Sequence, residues 1–305
     1  MTANIAQKRV IKDLRNLERD PLTAHGIYVL FNEDNIMNQK VLMIGPKDTP
    51  YENGFFFFDI KIPDNYPFSP PLVKFCTTDS KVRFNPNLYA DGKVCLSIIN
   101  TWSGPSWTSV QTLSSVLLSI QSLLNEYPLR NEPGFENELD SKCKMYNEIL
   151  KYETFRVAIL NILKNIPNTF ESFLSIINDY FLDNINWYND KLELLINEYD
   201  KKLLYSPIYN MRVVANFKYI KKNLLEHYKI ICPEDKFINF EKKTEKLKSN
   251  KCPTEKAYNY PEGYTTISDN DETMIYTVIC DKNGSKKWKK KQSLKKENVN
   301  NVQVI

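Results

Sequence analysis

Four short apolar runs lie in the first quarter of the chain, and they constrain its fold more than any other feature. They cover residues 27–31, 41–44, 55–62 and 72–75. Each run is long enough for a β-strand and too short for a typical helix. Residues that favour turns separate the runs, including Pro46, Asn53-Gly54 and Pro63-Asp64-Asn65. The pattern therefore predicts a meander of four antiparallel strands.

Helical patterns flank this meander. A helix over residues 4–17 would carry on one face the apolar side chains Ala6, Val10, Ile11, Leu14 and Leu17. A second helix is predicted where apolar residues recur at helical spacing, namely Leu113, Val116, Leu117, Ile120, Leu123 and Leu124. The stretch between them, residues 77–108, is irregular and rich in Asn, Pro, Asp, Gly and Ser. Helix, meander, long loop and helix together indicate an α+β fold.

The second half of the chain has a different character. Residues 136–230 show three apolar stripes at helical spacing, which predict a mostly helical extension. The third stripe comprises Met211, Val214, Phe217, Ile220 and Leu224. We therefore expect a core domain over residues 1–151 and a helical extension over residues 152–232.

Charge dominates the remaining segment, residues 233–305. Around residues 265–280 the sequence predicts a small strand pair. Residues 286–296 (KKWKKKQSLKK) predict a basic tail without fixed structure. The whole region is expected to be partly disordered.

Composition excludes several classes of protein. Only eight residues are glycine, and neither glycine-rich phosphate-binding pattern occurs. Six cysteines are scattered without a closely spaced pair, and only two histidines could join them, so we expect no metal and no cofactor. The N-terminus has no apolar signal region, and no run of about 18 apolar residues occurs. We expect no membrane association and a reducing compartment.

The irregular loop contains a cysteine whose surroundings suit chemistry. Cys95 lies between the predicted sheet and helix, where a loop on a rigid scaffold can expose a reactive side chain. The amide of Asn87 could donate a hydrogen bond to a developing oxyanion. A sulfur nucleophile and an oxyanion donor are the two parts that acyl transfer needs. His25 and His227 lie in other elements, which disfavours a Cys-His hydrolase. From these residues alone, a catalytic cysteine and a buried structural one are equally open.

The order of motifs across residues 3–150 resembles the ubiquitin-conjugating enzyme family. Residues 66–71 (YPFSPP) are similar to the family's Y-P-F-x-P-P segment, and residues 85–87 (NPN) are similar to its H-P-N motif. Cys95 stands where the family has its active cysteine, and Trp107 and the helix that follows also match. The resemblance implies the family's fold of N-terminal helix, four-stranded meander, active-site loop and helices. It also implies a transferase that carries ubiquitin as a thioester.

Two further segments narrow the resemblance. Residues 95–107 are a few residues longer than the family's usual loop, and residues 131–136 (NEPGFE) follow the second helix. Both segments are similar to large conjugating enzymes, which include the Z-type enzyme and the conjugating domains of giant hybrid ligases. The helical extension agrees better with the Z-type.

The resemblance also implies roles for the loop residues. Cys95 would accept the C-terminal glycine of the modifier, and Asn87 would stabilise the oxyanion formed when a lysine attacks. Glu132 would orient that lysine and help to deprotonate it. Asn85 and Pro86 would support the loop, although the family usually has His at the position of Asn85. Asn87 and Glu132 each have a plainer alternative, as a loop residue that holds backbone or as a solvated charge.

Partner contacts are implied for two groups of residues. The basic face of the first helix would meet the acidic ubiquitin-fold domain of an activating enzyme; its members are Lys8, Arg9, Lys12 and Arg15. A ligase would contact a second group, which comprises Phe68, Thr108, Ser109 and Val110. The family usually carries Ser-Pro-Ala at the last three positions, so the usual ligases are in question.

We therefore expect four partners, in the cytoplasm or the nucleus: ubiquitin or a ubiquitin-like modifier, an activating enzyme, a ligase and lysine-bearing substrates. One alternative is a catalytically inactive ubiquitin-binding scaffold of the same fold, which the presence of Cys95 disfavours. Another is a nucleic-acid-binding protein led by the lysines around Trp288. Nucleic acid is the weaker expectation because the net charge is only +4 and no recognition module is evident.

Overall fold

The structure, a computed structural model, describes residues 2–32, 35–136, 141–232, 265–268, 271–280 and 286–293. By its internal contacts the chain separates into two units, Met1–Ile231 and Cys232–Ile305. The expected boundary between core domain and extension at residue 151 falls inside the first unit and stays a prediction. The second unit begins where the sequence predicts the charged region.

The predicted meander is confirmed. Its strands are β1 (Ile27–Asn32), β2 (Asn35–Ile44), β3 (Phe55–Lys61) and β4 (Leu72–Phe75). They form one antiparallel sheet in the order β1-β2-β3-β4, in which Val41 pairs with Phe58 and Met43 with Phe56. At the turn before β3, a Cβ on Gly54 would lie 2.8 Å from a side-chain carbon of Thr154. Glycine therefore allows the turn and a later helix to approach closely.

At residues 55–58 of β3, both faces of the sheet are buried. Because side chains alternate along a strand, Phe56 and Phe58 point to one face and Phe57 points to the other. The ring of Phe56 meets Phe84 of the long loop at 5.5 Å. The ring of Phe57 stacks on Phe170 of the extension at 4.4 Å. This burial explains why β3 begins with four consecutive phenylalanines instead of alternating apolar and polar residues.

The two helices predicted in the first half are present. They are α1 (Thr2–Arg19) and α2 (Leu113–Gln121). Thr112 begins α2 with a capping box, in which its hydroxyl accepts from the backbone N–H of Ser115 and its own N–H donates to the Ser115 hydroxyl. Four of the five apolar residues predicted on one face of α1 are buried, whereas Ile11 is exposed.

The segment of residues 141–231 is mostly helical. Its elements are α3 (Ser141–Glu153), a π-helical segment (Thr154–Asn161), α4 (Ile162–Lys164), α5 (Leu174–Asp183), α6 (Ile185–Tyr199), β5 (Leu203–Ser206), β6 (Met211–Val214) and α7 (Phe217–Ile231). The hydroxyls of Tyr180 and Tyr188 donate to Asn53, each at 2.7 Å, so helices α5 and α6 are fixed to the turn before β3. No helix in the described part of the chain has both the length and the apolarity needed to cross a membrane.

One part of the third apolar stripe was assigned to the wrong element. Met211 and Val214 lie in strand β6, and the helix begins only at Phe217. β5 and β6 pair as an antiparallel hairpin, with Ser206 opposite Met211. A spacing of three residues fits a helix, but these residues pair with β5, which lies just before them in the chain.

In the second unit the described residues form the strands β7 (Thr265–Ser268), β8 (Asp271–Cys280) and β9 (Lys286–Ser293). β7 and β8 form the predicted pair. The expectation that the basic segment lacks structure is wrong for Lys286–Ser293, because this segment pairs antiparallel with β8. The apolar strand β8 offers unpaired backbone groups, and pairing with them determines the structure of this basic segment more strongly than its composition does. Residues 294–296 of the predicted tail lie outside the described residues.

Candidate active site

The loop that contains Cys95 is held by short-range backbone pairing. Isolated antiparallel bridges join Asn85 to Leu88 and Leu88 to Val94. At the intervening turn, Gly92 has φ 95°, a conformation that glycine adopts without steric cost. The Asp91 carboxylate accepts from the backbone N–H of Lys93 at 3.0 Å and closes the turn. The loop is irregular but fixed, and it brings residues 85–87 beside Cys95.

Asn85 is fully buried, and its amide joins several segments. Its Nδ2 donates to the Leu123 carbonyl at 2.7 Å and to the Tyr51 hydroxyl at 3.3 Å. Its Oδ1 accepts from the Asn87 backbone N–H at 2.9 Å and from Asn131 at 3.4 Å. An asparagine amide has both donors and an acceptor, so it makes the contacts expected of a side chain that supports the loop. Pro86 is also buried, next to it.

Asn87 and Cys95 are joined by two hydrogen bonds. The Cys95 backbone N–H donates to the Asn87 carbonyl at 2.9 Å, and Asn87 Nδ2 donates to the Cys95 carbonyl at 2.7 Å. The Asn87 amide therefore lies directly beside the backbone of the cysteine. Its Oδ1 is buried and has no hydrogen-bond partner among the described residues. Since Nδ2 carries two N–H donors, one remains for a group that approaches Cys95.

The sequence left open whether Cys95 is a reactive loop cysteine or a buried one, and in the structure the residue is buried. Cys95 forms no disulfide, and only 1% of its surface is exposed. The residue sits within the loop, followed by the 3-10 turn Ser97–Ile99. In this structure the residue is therefore largely shielded from solvent.

Glu132 lies on the same side of the fold as this loop. It follows the 3-10 turn Pro128–Asn131, where its N–H donates to the Leu129 carbonyl at 3.0 Å. Its neighbour Asn131 binds Asn85, which in turn binds Asn87. The Glu132 carboxylate is half-buried and accepts a hydrogen bond from the hydroxyl of Tyr209. Hydrogen bonds thus join Cys95, Asn87 and Asn85, and Glu132 lies next to this set through its chain neighbour Asn131.

The matches to known proteins agree with this arrangement. Residues 9–166, about half of the chain, match the family described as Ubiquitin-conjugating enzyme. The chain belongs to the ubiquitin-conjugating enzyme family. It is 43% identical over 182 residues to ubiquitin-conjugating enzyme E2 Z of Xenopus tropicalis. These aligned residues make up 59% of this chain and 58% of that protein. With the E2 Z of Homo sapiens it shares 42% identity over 192 residues, 61% of this chain and 54% of that one.

A third relative is much larger. The dual E2 ubiquitin-conjugating enzyme/E3 ubiquitin-protein ligase BIRC6 of Homo sapiens is 41% identical over 163 residues, which are 50% of this chain and 3% of that protein. The predicted resemblance to Z-type enzymes and to giant hybrid ligases is confirmed. The chain spans a little over half the length of the E2 Z relatives that it matches.

The residues predicted to contact a ligase lie in two exposed loops of this conjugating fold. Phe68 is 72% exposed and Val110 is 82% exposed, so neither is a core side chain. Thr108 and Ser109 are also exposed. Trp107 Nε1 donates to the Pro67 carbonyl at 2.7 Å and ties the two loops together. They can therefore form one continuous surface.

The basic residues predicted to meet an activating enzyme do not form one uniform group. Lys8, Lys12 and Arg15 are exposed on α1. Arg9 is half-buried, and its guanidinium donates to the carbonyls of Ser109 and Gln111 and to the Asp13 carboxylate. Asp13 is buried and also accepts from the Tyr66 hydroxyl. Arg9 thus holds the loop that contains Ser109 and Gln111 from within the fold.

Two residues near the site were not singled out from the sequence. Arg83 donates to the Pro86 carbonyl at 2.6 Å and to the Asn85 carbonyl at 3.3 Å. Tyr209 reaches Glu132 from the turn of the β5–β6 hairpin, 77 residues later in the chain. The sequence contains no local signal for the contact of Tyr209 with Glu132, although Arg83 lies only two residues before the motif that begins at Asn85. Within the described residues, no group of three or more His, Cys, Asp and Glu side chains could hold a metal ion.

Proposed function

We propose that this chain is a ubiquitin-conjugating enzyme that accepts ubiquitin, or a ubiquitin-like modifier, as a thioester on Cys95 and transfers it to a substrate lysine. The observation that carries this proposal is the pair of hydrogen bonds between Asn87 and Cys95, which sets an amide donor beside the cysteine. The names of the relatives support the same activity.

The reaction would proceed in two acyl transfers. In the first, the Cys95 thiolate attacks the carbonyl of the modifier's thioester with the activating enzyme; a new C–S bond forms and the old one breaks, releasing the activating enzyme's thiolate. In the second, a neutral lysine amine attacks the thioester on Cys95. A tetrahedral oxyanion forms, and the Asn87 amide would stabilise it. Collapse releases the Cys95 thiolate, and the lysine keeps the modifier as an amide after losing a proton, which Glu132 would draw off.

The partners follow from this scheme. Lys8, Lys12 and Arg15 would meet the acidic ubiquitin-fold domain of an activating enzyme, which uses ATP to prepare the modifier. Phe68 and Val110 would contact a ligase, and transfer to lysine would proceed with or without that ligase. We assign the chain to the cytoplasm or the nucleus, where such partners would act.

The test is charging of the purified full-length chain. Incubated with an activating enzyme, ATP and ubiquitin, the chain should gain one modifier in a band that a thiol reductant removes. A panel of other activating enzymes and ubiquitin-like modifiers would identify the preferred pair. Cys95→Ser should give at most an adduct that resists the reductant, because an oxyester would replace the thioester.

Cys95→Ala provides the negative control. A reductant-labile adduct that persists in Cys95→Ala would place the acceptor elsewhere and refute the proposal. Absence of any adduct across the whole panel would favour the inactive ubiquitin-binding scaffold instead.

A further inference from the structure

The turn of the β5–β6 hairpin contacts the active-site loop through Arg83. The Arg83 guanidinium lies between two aromatic rings, 3.3 Å from the centroid of Tyr89 and 4.5 Å from that of Tyr209. Its backbone N–H lies 3.4 Å from the sulfur of Met211, the first residue of β6. Stacked on both sides, this side chain also holds the carbonyls of Asn85 and Pro86. The hairpin and the loop are therefore a single packed unit.

The position of the Tyr209 ring is fixed from several directions. Besides Arg83, the ring meets Tyr146 of α3 at 5.9 Å, edge to face. Tyr146 is fully buried and donates to the Arg83 carbonyl at 2.7 Å. The ring therefore has little freedom to turn, and its hydroxyl has a defined direction.

Tyr209 also has an unusual backbone. Its φ and ψ are 62° and 12°, the left-handed region that a bulky side chain rarely occupies. Asn210, the next residue, has φ 48°. Such conformations persist where the surroundings impose them, and they concentrate at functional sites. Here the conformation directs an aromatic side chain from the extension toward the loop.

The Tyr209 hydroxyl donates to Oε2 of Glu132. Burial and then the hydrogen bond to Glu132 raise the pKa of Tyr209, so its hydroxyl stays a proton donor throughout the physiological range. Among the described residues no hydrogen bond engages the other carboxylate oxygen, Oε1. A carboxylate held by one oxygen has the other available for an incoming amine.

We propose that Tyr209 is a positioning residue of the active site, which orients Glu132 so that its second oxygen receives the attacking lysine. The inference rests on the proposed function, since it assigns a role within the same transfer step. It implies that the extension contributes a side chain to lysine discharge, and that the core domain alone is incomplete for this step.

The test compares two matched variants of the full-length chain, with ubiquitin as the modifier and free lysine as the acceptor. Tyr209→Phe keeps the ring and removes only the hydroxyl. Tyr205→Phe, on the same hairpin with its ring beside Arg212, is the control. Charging of Cys95 should be unchanged in both. Single-turnover discharge to lysine should fall about tenfold in Tyr209→Phe, the scale of a lost hydrogen bond to a charged group, and not in Tyr205→Phe.

A double variant separates positioning from folding. Because Tyr209 acts through Glu132, Tyr209→Phe should have no further effect on discharge in a Glu132→Ala background. A tenfold loss that adds fully to that of Glu132→Ala would overturn the inference. So would discharge at the wild-type rate in Tyr209→Phe, or equal slowing of charging and discharge. Failure of the wild-type chain to charge would instead refute the proposed function.

Discussion

The sequence left two interpretations of Asn87 open, a loop residue that holds backbone and a donor to an oxyanion. The geometry of its amide is compatible with both. One N–H holds the Cys95 carbonyl at 2.7 Å, which is the backbone-holding role. In the proposed reaction, the second N–H on the same nitrogen would be available for an oxyanion at the thioester carbon. The role proposed for Glu132 is different, because it concerns the lysine and its proton. Under this proposal the two side chains would address separate parts of one difficult step.

Loading and discharge should respond differently to changes at these residues. Loading exchanges one thioester for another and has a thiolate leaving group, so neither side chain is required. Discharge needs an oxyanion donor, whose loss costs about 3 to 4 kcal/mol, or roughly 100- to 1,000-fold in rate. It also needs help with the lysine proton, typically about a 100-fold effect or more. Asn87→Ala and Glu132→Ala should charge nearly normally and release ubiquitin to free lysine slowly, as measured by single-turnover discharge.

The pH dependence of that discharge distinguishes the two roles. A free lysine amine has a reference pKa near 10.4, so raising the pH from about 7 to 9 increases its neutral fraction. Glu132→Ala should then recover in part, because less proton removal is needed. Asn87→Ala should recover less, since its oxyanion still lacks a donor. Discharge at the wild-type rate in Glu132→Ala would mean that Glu132 is only a solvated charge on the loop. Equal recovery of the two variants with rising pH would contradict this division of roles.

At the scale of elements, the extension covers one face of the sheet. Phe170 and Phe173 lie against Phe57 at ring distances of 4.4 and 6.0 Å. All three side chains are buried, and Lys40 of β2 lies over the Phe170 ring. The extension therefore completes the core of the first unit and shields aromatic surface that the meander would otherwise expose.

Truncating Phe170 should destabilise the whole first unit. A buried Phe→Ala change costs about 3–5 kcal/mol, because it removes apolar contacts and leaves a cavity. Phe68→Ala is the matched control, since Phe68 is 72% exposed and surface substitutions usually change stability by about 0.5 kcal/mol or less. Denaturant unfolding of both variants measures the difference. Equal stability of the two would mean that the extension does not share a core with the sheet.

The sequence predicted the elements whose signals are local. Each strand of the meander is an apolar run between turn residues, and α2 has both its apolar spacing and a capping threonine at Thr112. The β5–β6 hairpin was missed because Met211, Val214 and Phe217 also fit helical spacing. Pro207 and Asn210 between two apolar runs were the available turn signal.

The predictions for the site also differ according to whether a contact has a local signal in the sequence. The resemblance to the conjugating family implied a joint role for Asn87 and Cys95, and in the structure the two residues are hydrogen-bonded within one loop. The exposure of Cys95 could not be judged from its own neighbours, because burial depends on how the whole loop packs. The contact of Tyr209 with Glu132 joins two distant turns and has no pattern in the chain. Nor did the charge of Arg9 reveal that its donors bind the loop at Ser109.

At the scale of the whole molecule, the division into units does not coincide with the matched family region. That region ends at residue 166, whereas the first unit continues to Ile231. Residues 167–231 supply the aromatic side chains against β3 and the hairpin beside the active-site loop. By packing, then, this part of the extension belongs with the core domain.

Two truncations test this conclusion. A chain ending at residue 231 should melt in the same range as the first unit of the full-length protein and should charge normally. A chain ending at residue 151 loses Phe170, Phe173 and Tyr209, so it should expose the Phe57 face of the sheet, bind a hydrophobic dye and aggregate on heating. Its partner profile in the charging panel should also change, because the hairpin beside the loop is missing. If the shorter chain stays soluble and accepts the same activating enzymes and modifiers as the longer one, the extension is an appendage. Together with unchanged discharge to lysine, that result would also remove the role assigned to Tyr209.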